Sequence, residues 1–220
     1  MDEHQQVEPG SRPGAAEIPV GRGRPSGRTS VGESRRDEVV KVAYRLIAEK
    51  GFEGFRTRQV AEEAGINVAT LHYYFPTKEA LVQGVVDYLI ASFGSAVPSA
   101  EEAPTAVEEL RYEFDDTIRR FRETPEQYVV MAELAARSWR DPAVAEILGA
   151  MNEGWQAHLC QMLRRGVDEG VFRADVDVDQ VARALMVQLT GIGYQVKLGV
   201  DRLEPLINLI ADQILAWLAA

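Results

Sequence analysis

The sequence predicts an all-α fold, with an N-terminal three-helix helix-turn-helix head and a C-terminal helical bundle that pairs with a second copy of itself. Three observations carry this expectation. Apolar residues recur at helical spacing along most of the chain after residue 33; glycine, proline or aspartate breaks separate these stretches; and no alternating apolar–polar run long enough for a strand intervenes.

Taken in order, residues 1–33 contain Pro9, Pro13, Pro19 and Pro25 among many Gly, Ser and Arg, and few large apolar side chains. Such a composition cannot offset its own ordering entropy, so a disordered arm is expected. A first helix then starts at Ser34 as N-cap, with Asp37 as its capping-box partner and Val39, Ala43, Leu46 and Ile47 on one face; Gly51 supplies a left-handed stop. A short helix from about Thr57 to Ala64 ends at Gly65. A third follows Asn67, a good N-cap, and is broken by Pro76. Thr77 caps a longer helix over 78–92, whose inward stripe includes Leu81, Val85, Tyr88 and Leu89. Five further helices are expected near 105–122, 125–139, 142–168, 178–198 and 203–218. The division is an arm (1–33), a head (34–80) and a ligand-binding and dimerisation body (81–220).

Composition removes several classes of function. With 46% hydrophobic residues in 220, the chain can bury a real core. No apolar run approaches the roughly 18 residues of a membrane span, and the N-terminus lacks the basic-then-apolar layout of a secretory signal. A cytoplasmic protein without membrane contact is expected. Cys160 is the only cysteine, and His4, His72 and His158 are scattered, so neither a disulfide nor a metal-ligand spacing is present and no cofactor is implied. Cys160 lies on an apolar helical pattern and reads as a buried, inert thiol. No nucleophile–base pairing, paired-carboxylate motif or phosphate loop appears, which argues against an enzyme.

The net charge of −10 is unevenly spread: residues 22–84 carry 11 basic against 8 acidic side chains, whereas 85–220 carry 12 against 22. A basic segment on an acidic body suits a local contact with double-stranded DNA, because the rest of the molecule is repelled from the phosphates.

Inside the basic segment, residues 57–75 read TRQVAEEAGINVATLHYYF, a helix, a glycine turn and a helix. Ala61 lets the helices cross closely, Gly65 takes the turn conformation, and Ile66 and Leu71 fill the space between them. Val68, Ala69, Thr70, His72 and Tyr73 are left on or near the exposed side of a helix short enough to enter a major groove.

This stretch, followed by Pro76-Thr77-Lys78-Glu79-Ala80-Leu81, resembles the N-terminal signature of the tetracycline-repressor (TetR) family over about residues 34–90. The resemblance implies a dimeric DNA-binding regulator, with phosphate contacts from Thr57, Tyr73 or Tyr74 and Lys78, and base or groove contacts from Arg58, Val68, Ala69 and Thr70. His72 stands where the family more often has tyrosine. Lys78 is informative on physical grounds too: a cation at a helix N-terminus opposes the macrodipole by a few tenths of a kcal/mol, so a partner is expected, and a phosphate is the natural one. Upstream, Gly21-Arg22-Gly23-Arg24-Pro25 resembles an AT-hook core, in which Arg22 and Arg24 would enter a narrow A·T minor groove; the other reading is a solubilising tail.

In the body, Val144, Ile147, Leu148, Met151, Trp155, Leu159, Met162 and Leu163 form a single stripe along the helix 142–168, with His158 at its border. The last two helices are apolar on more than one face, and the second face is expected to meet its own copy in a two-fold four-helix bundle. The family resemblance places an effector among the body helices, with Phe114, Ile118, Phe121, Tyr128, Met131, Met151, Trp155, His158, Met186 and Gln188 as candidate lining. Trp155, Tyr128, His158 and Gln188 carry polar tips that could orient an apolar or aromatic small molecule. The function expected is a repressor on a palindromic operator that releases DNA when effector shifts the spacing of its heads, with helix 78–92 as lever. The competing expectation is a dimeric ligand-binding or protein-interaction module without specific DNA binding.

Overall fold

The computed structural model describes residues 31–94 and 105–220. Among them are nine α-helices: α1 (Val31–Gly54), α2 (Thr57–Glu63), α3 (Val68–Tyr74), α4 (Lys78–Gly94), α5 (Ala106–Glu123), α6 (Glu126–Ser138), α7 (Pro142–Asp168), α8 (Val178–Gly193) and α9 (Val200–Leu218). The only strand-like feature in the described residues is an isolated bridge between Phe172 and Ala219.

Side-chain caps set several of these ends. The Asn67 side chain accepts from the Thr70 N–H at 2.7 Å and the Thr77 hydroxyl from the Ala80 N–H at 3.1 Å, so α3 and α4 start where the sequence expects. Asp141 and Asp177 cap α7 and α8 in the same way. Gly65, at φ 65°, turns α2 into α3, a conformation that a side chain would strain.

Three expectations need correction. The first helix starts at Val31, so Ser34 lies inside it and not at its cap, and the last three residues of the expected arm are helical. From Val31 to Asp37 only Gly32 disfavours a helix, and the polar residues after it include an i,i+3 ion pair, Arg35–Glu38, that supports one. The expected helix 178–198 ends at Gly193, is followed by a 3-10 turn (Val196–Leu198), and α9 begins three residues early, after Gly199 at φ 83°. Tyr88, expected to face inward, is 36% exposed with its ring edge-on to Tyr44 at 5.4 Å. The buried residues of α4 are Leu81, Val82, Val85, Val86 and Leu89, and a helical step of 100° puts Tyr88 a quarter-turn from their centre.

The apolar residues divide into two buried clusters. One joins α1–α4 to the middle of α6 and the start of α7 through Val130, Leu134, Val144 and Leu148. The other joins α5, the end of α7, α8 and α9. The stripe along α7 therefore serves two cores rather than one: Val144 and Leu148 belong to the first, Leu159, Met162 and Leu163 to the second, and Met151 and Trp155 between them are half-buried. The first cluster also runs past residue 80, where the head was expected to end, into Leu81–Leu89.

Candidate functional site

The geometry around α3 follows from what it buries. Leu71 is 1% exposed and Phe75, just past its end, is also 1% exposed; with Val60 and Ala61 of α2 they anchor the two short helices against α1. Anchoring one face of a seven-residue helix leaves the other to solvent: Val68, Ala69, His72 and Tyr73 are exposed and Thr70 is half-buried. Tyr73 is 82% exposed, far more than a ring seeking a core would be, and stacks edge-on to the half-buried Tyr74 at 5.4 Å. Arg58 is exposed near the start of α2, and Thr57 is half-buried beside it. The first turns of α1 lie against this unit, with the Arg36 guanidinium 4.7 Å from the centre of the Phe75 ring.

Lys78 finds partners inside the chain. Its ammonium lies 4.4 Å from the centre of the Phe52 ring and 5.0 Å from that of Phe55, and burial, with Arg137 and Arg56 nearby, lowers its pKa from the usual lysine range. Aromatic faces thus give this half-buried cation partners within the chain, beside the phosphate contact that the family resemblance implies. Arg22 and Arg24 lie outside the described residues.

The candidate effector residues do not all meet. Phe114, Ile118 and Phe121 of α5 are buried in the second cluster, and Tyr128, Trp155 and Met186 pack half-buried against it. Met131 and Met151 pack against the first cluster instead. Gln188 is exposed on the outer side of α8, where, with Leu185, Ile214 and Trp217, it lines an open groove of about 560 Å³ between α8 and α9. Tyr128 stacks on Phe121 at 4.4 Å between ring centres, and burial pushes its phenol well above the usual range. Gly193 is required there: a Cβ on it would come 2.9 Å from the tyrosine ring.

Sequence reasoning named His158 but missed its partner Glu113 and the Arg120 group of this region. His158 Nε2 lies 3.1 Å from Oε1 of Glu113, a carboxylate only 12% exposed, and this hydrogen bond raises the imidazole pKa against the opposing effect of burial. Arg120 is 5% exposed and pairs with Asp116; it donates to the Gln127 side chain at 3.1 Å and to the carbonyls of Ser92 and Phe93, at 3.0 and 3.1 Å. It therefore serves the orphan carbonyls at the end of α4. The available signal was positional: Glu113, Thr117 and Arg120 follow the same i, i+4, i+7 rhythm as the apolar residues of α5.

The outer face of α8 and α9 presents Val187, Leu206, Leu209 and Trp217 to solvent, at 73%, 41%, 53% and 48% exposure. Arg173 covers part of the indole of Trp217, its guanidinium 4.1 Å from the ring centre.

A helix-turn-helix with a free reading face, set on a helical body, limits the families to which the chain can be compared. Residues 39–85 match the model of bacterial regulatory proteins of the tetR family, and residues 106–218 match that of the C-terminal part of BetI-type transcriptional repressors. The chain belongs to the TetR family. It is 30% identical to the HTH-type transcriptional repressor KstR2 of Mycolicibacterium smegmatis over 68% of this chain and 73% of that one. With the repressor NicS of Pseudomonas putida it shares 31% identity over 70% of this chain and 66% of that one. The fold is that of Salmonella enterica GusR, with a TM-score of 0.75 and 22% identity over 86% of this chain and 97% of that one. The protein is accordingly a ligand-responsive, DNA-binding transcriptional repressor of TetR type, its head in the first match and its body in the second. Among the described residues no helix is long and apolar enough to cross a membrane.

Proposed function

We propose that this repressor binds a palindromic operator as a homodimer, reads it with α3, and releases it when a small apolar or aromatic effector enters the body. The free face of α3 is the observation that carries this: Leu71 and Phe75 are buried while Val68, Ala69, His72 and Tyr73 stand in solvent. In this reading Val68, Ala69 and Thr70 face bases, Arg58 supplies a base or groove contact, Thr57, Tyr73 or Tyr74 and Lys78 face phosphates, and Arg22 and Arg24 extend the contact into the minor groove. The basic balance of residues 22–84 within an acidic chain supports it.

The exposed apolar side chains of α8 and α9 support the dimer, since a soluble chain rarely leaves such a row uncovered. Two copies joined there would present two recognition helices to half-sites about 34–36 Å apart or somewhat more. The effector would meet Phe114, Ile118, Phe121, Tyr128, Trp155, His158 and Met186, where a few polar tips interrupt an apolar wall. The protein works in the cytoplasm, without catalysis and without a membrane partner.

The test is binding to a duplex selected by the wild-type protein from a random-sequence pool, over a salt series. Arg58→Ala is expected to cost about 1–3 kcal/mol and relax one operator position, whereas Lys78→Ala weakens all sequences alike and lowers the salt slope by about one. Failure of the pool to converge on any sequence would overturn the operator reading in favour of a ligand-binding module.

A further inference from the structure

We propose that Glu133 is a positioning residue that fixes the angle between the DNA-binding head and the body by capping the broken end of α1. The inference rests on the dimer–operator reading, because head angle matters only when two heads must fit one duplex.

The break itself is unusual. Gly51 has φ 70° and ψ 171°, a region open essentially to glycine alone. A turn of that shape aims the Phe52 N–H away from the helix axis, and Oε2 of Glu133 accepts it at 2.9 Å. The same oxygen lies 2.9 Å from the place a Cβ on Gly51 would occupy, so this carboxylate fills the space that glycine leaves.

Glu133 is held to that turn by its neighbours on α6. Val130, Glu133, Leu134 and Arg137 fall at i, i+3, i+4 and i+7, hence on one helix face. Val130 and Leu134 are fully buried in the head's cluster. Arg137 donates to Glu53 at 3.0 Å and lies 5.2 Å from the centre of the Phe52 ring. Residues 51–53 are thus gripped by α6, and the ring of Phe52 in turn carries Lys78 of α4. At its other end α6 places Tyr128 in the body's core. A 13-residue helix spans about 20 Å, so α6 is a strut between the effector region and the turn that seats the head.

The experiment uses the full chain and the selected operator, with one and two base pairs inserted between its half-sites, and reads affinity for each spacing. Wild type is expected to lose affinity sharply with each insertion. In Glu133→Ala that spacing penalty is expected to shrink by about fivefold or more, and Glu133→Gln, which keeps an oxygen for the Phe52 N–H, to restore most of it. A Glu133→Ala protein that weakens every spacing by one factor, or leaves the penalty unchanged, overturns the proposal, because a side chain that only stabilises the fold acts in that way. Should Glu133→Ala fail to fold, Arg137→Gln takes its place; about a twofold reduction in the penalty is expected, and no reduction overturns the proposal. Wild type that binds all spacings equally defeats the dimer–operator reading itself, which is a distinct result.

Discussion

The two buried clusters differ in kind, although both are helical and of similar size. The one beneath the head is built of apolar side chains, whereas all four buried polar side chains among the described residues, Glu109, Thr117, Arg120 and Gln127, lie on α5 and α6. An apolar core that fills its volume has one good arrangement, which suits a helix that must present the same face to DNA each time. A core containing charged groups depends on its partners, and partners can be exchanged. The difference supports the proposal that a small molecule acts in the body, by competing for polar contacts that hold helices together.

The largest effect that would sharpen this contrast is at Arg120. Arg120→Ala removes the donor to the Ser92 and Phe93 carbonyls and leaves Gln127 short of a partner, and about 3–5 kcal/mol of stability should be lost in urea unfolding. A loss below about 1 kcal/mol would mean that the body's polar contacts are dispensable and the contrast is false. Next is Gly166→Ala, where a Cβ would come 2.0 Å from the Phe172 ring; about 1–3 kcal/mol of destabilisation is expected, visible as a lower Tm.

Gly191, on the exposed side of α8 with nothing within 4 Å of a Cβ, should behave oppositely. Gly191→Ala is expected to stabilise the monomer by about 1 kcal/mol through helix propensity and, under the proposed dimer through α8 and α9, to weaken self-association. Sedimentation equilibrium beside urea unfolding separates the two effects.

A smaller, pH-dependent effect belongs to His158. Its pKa is raised in the folded state by Glu113, so the stabilisation is fully present below the unfolded value of about 6.5 and is lost as pH rises through the folded pKa. Melting temperatures of wild type and His158→Gln should therefore converge as the pH is raised from mildly acid to mildly alkaline. Equal spacing of the two curves at every pH would remove the imidazolium–carboxylate pair from the account. The least change is expected at Cys160: burial raises its thiol pKa, and it should react with a thiol reagent only after unfolding.

The head was legible in the sequence because its signals are local. Asn67 and Thr77 cap the helices that follow them, Gly65 turns between two helices, and Leu71 and Phe75 sit at the spacing that buries one face. In the body, the starts of α5 to α8 were legible for the same reason, but the end of α8, the start of α9 and the partners were not. Glu113 and His158 are 45 residues apart and Glu133 and Phe52 are 81 apart, and no local pattern links them. Gln188 shares α8 with Met186, yet two residues on a helix are turned about 200° apart, which sends one to the core and the other to the outer groove. Lys78 illustrates a subtler limit: the unfavourable helix-end charge was visible, while the phenylalanine rings that receive it come from α1 and the turn after it.

Because α6 and α7 each run from one buried cluster into the other, a cut after residue 80 would strip α4 from beside Phe75 and uncover the face of α1 on which α6 packs. An engineer wishing to transplant this reading head onto a foreign sensor would have to carry along α4 and the undersides of α6 and α7, with Val130, Leu134, Val144 and Leu148. The portable unit is a discontinuous one, defined by shared packing and not by a boundary in the chain.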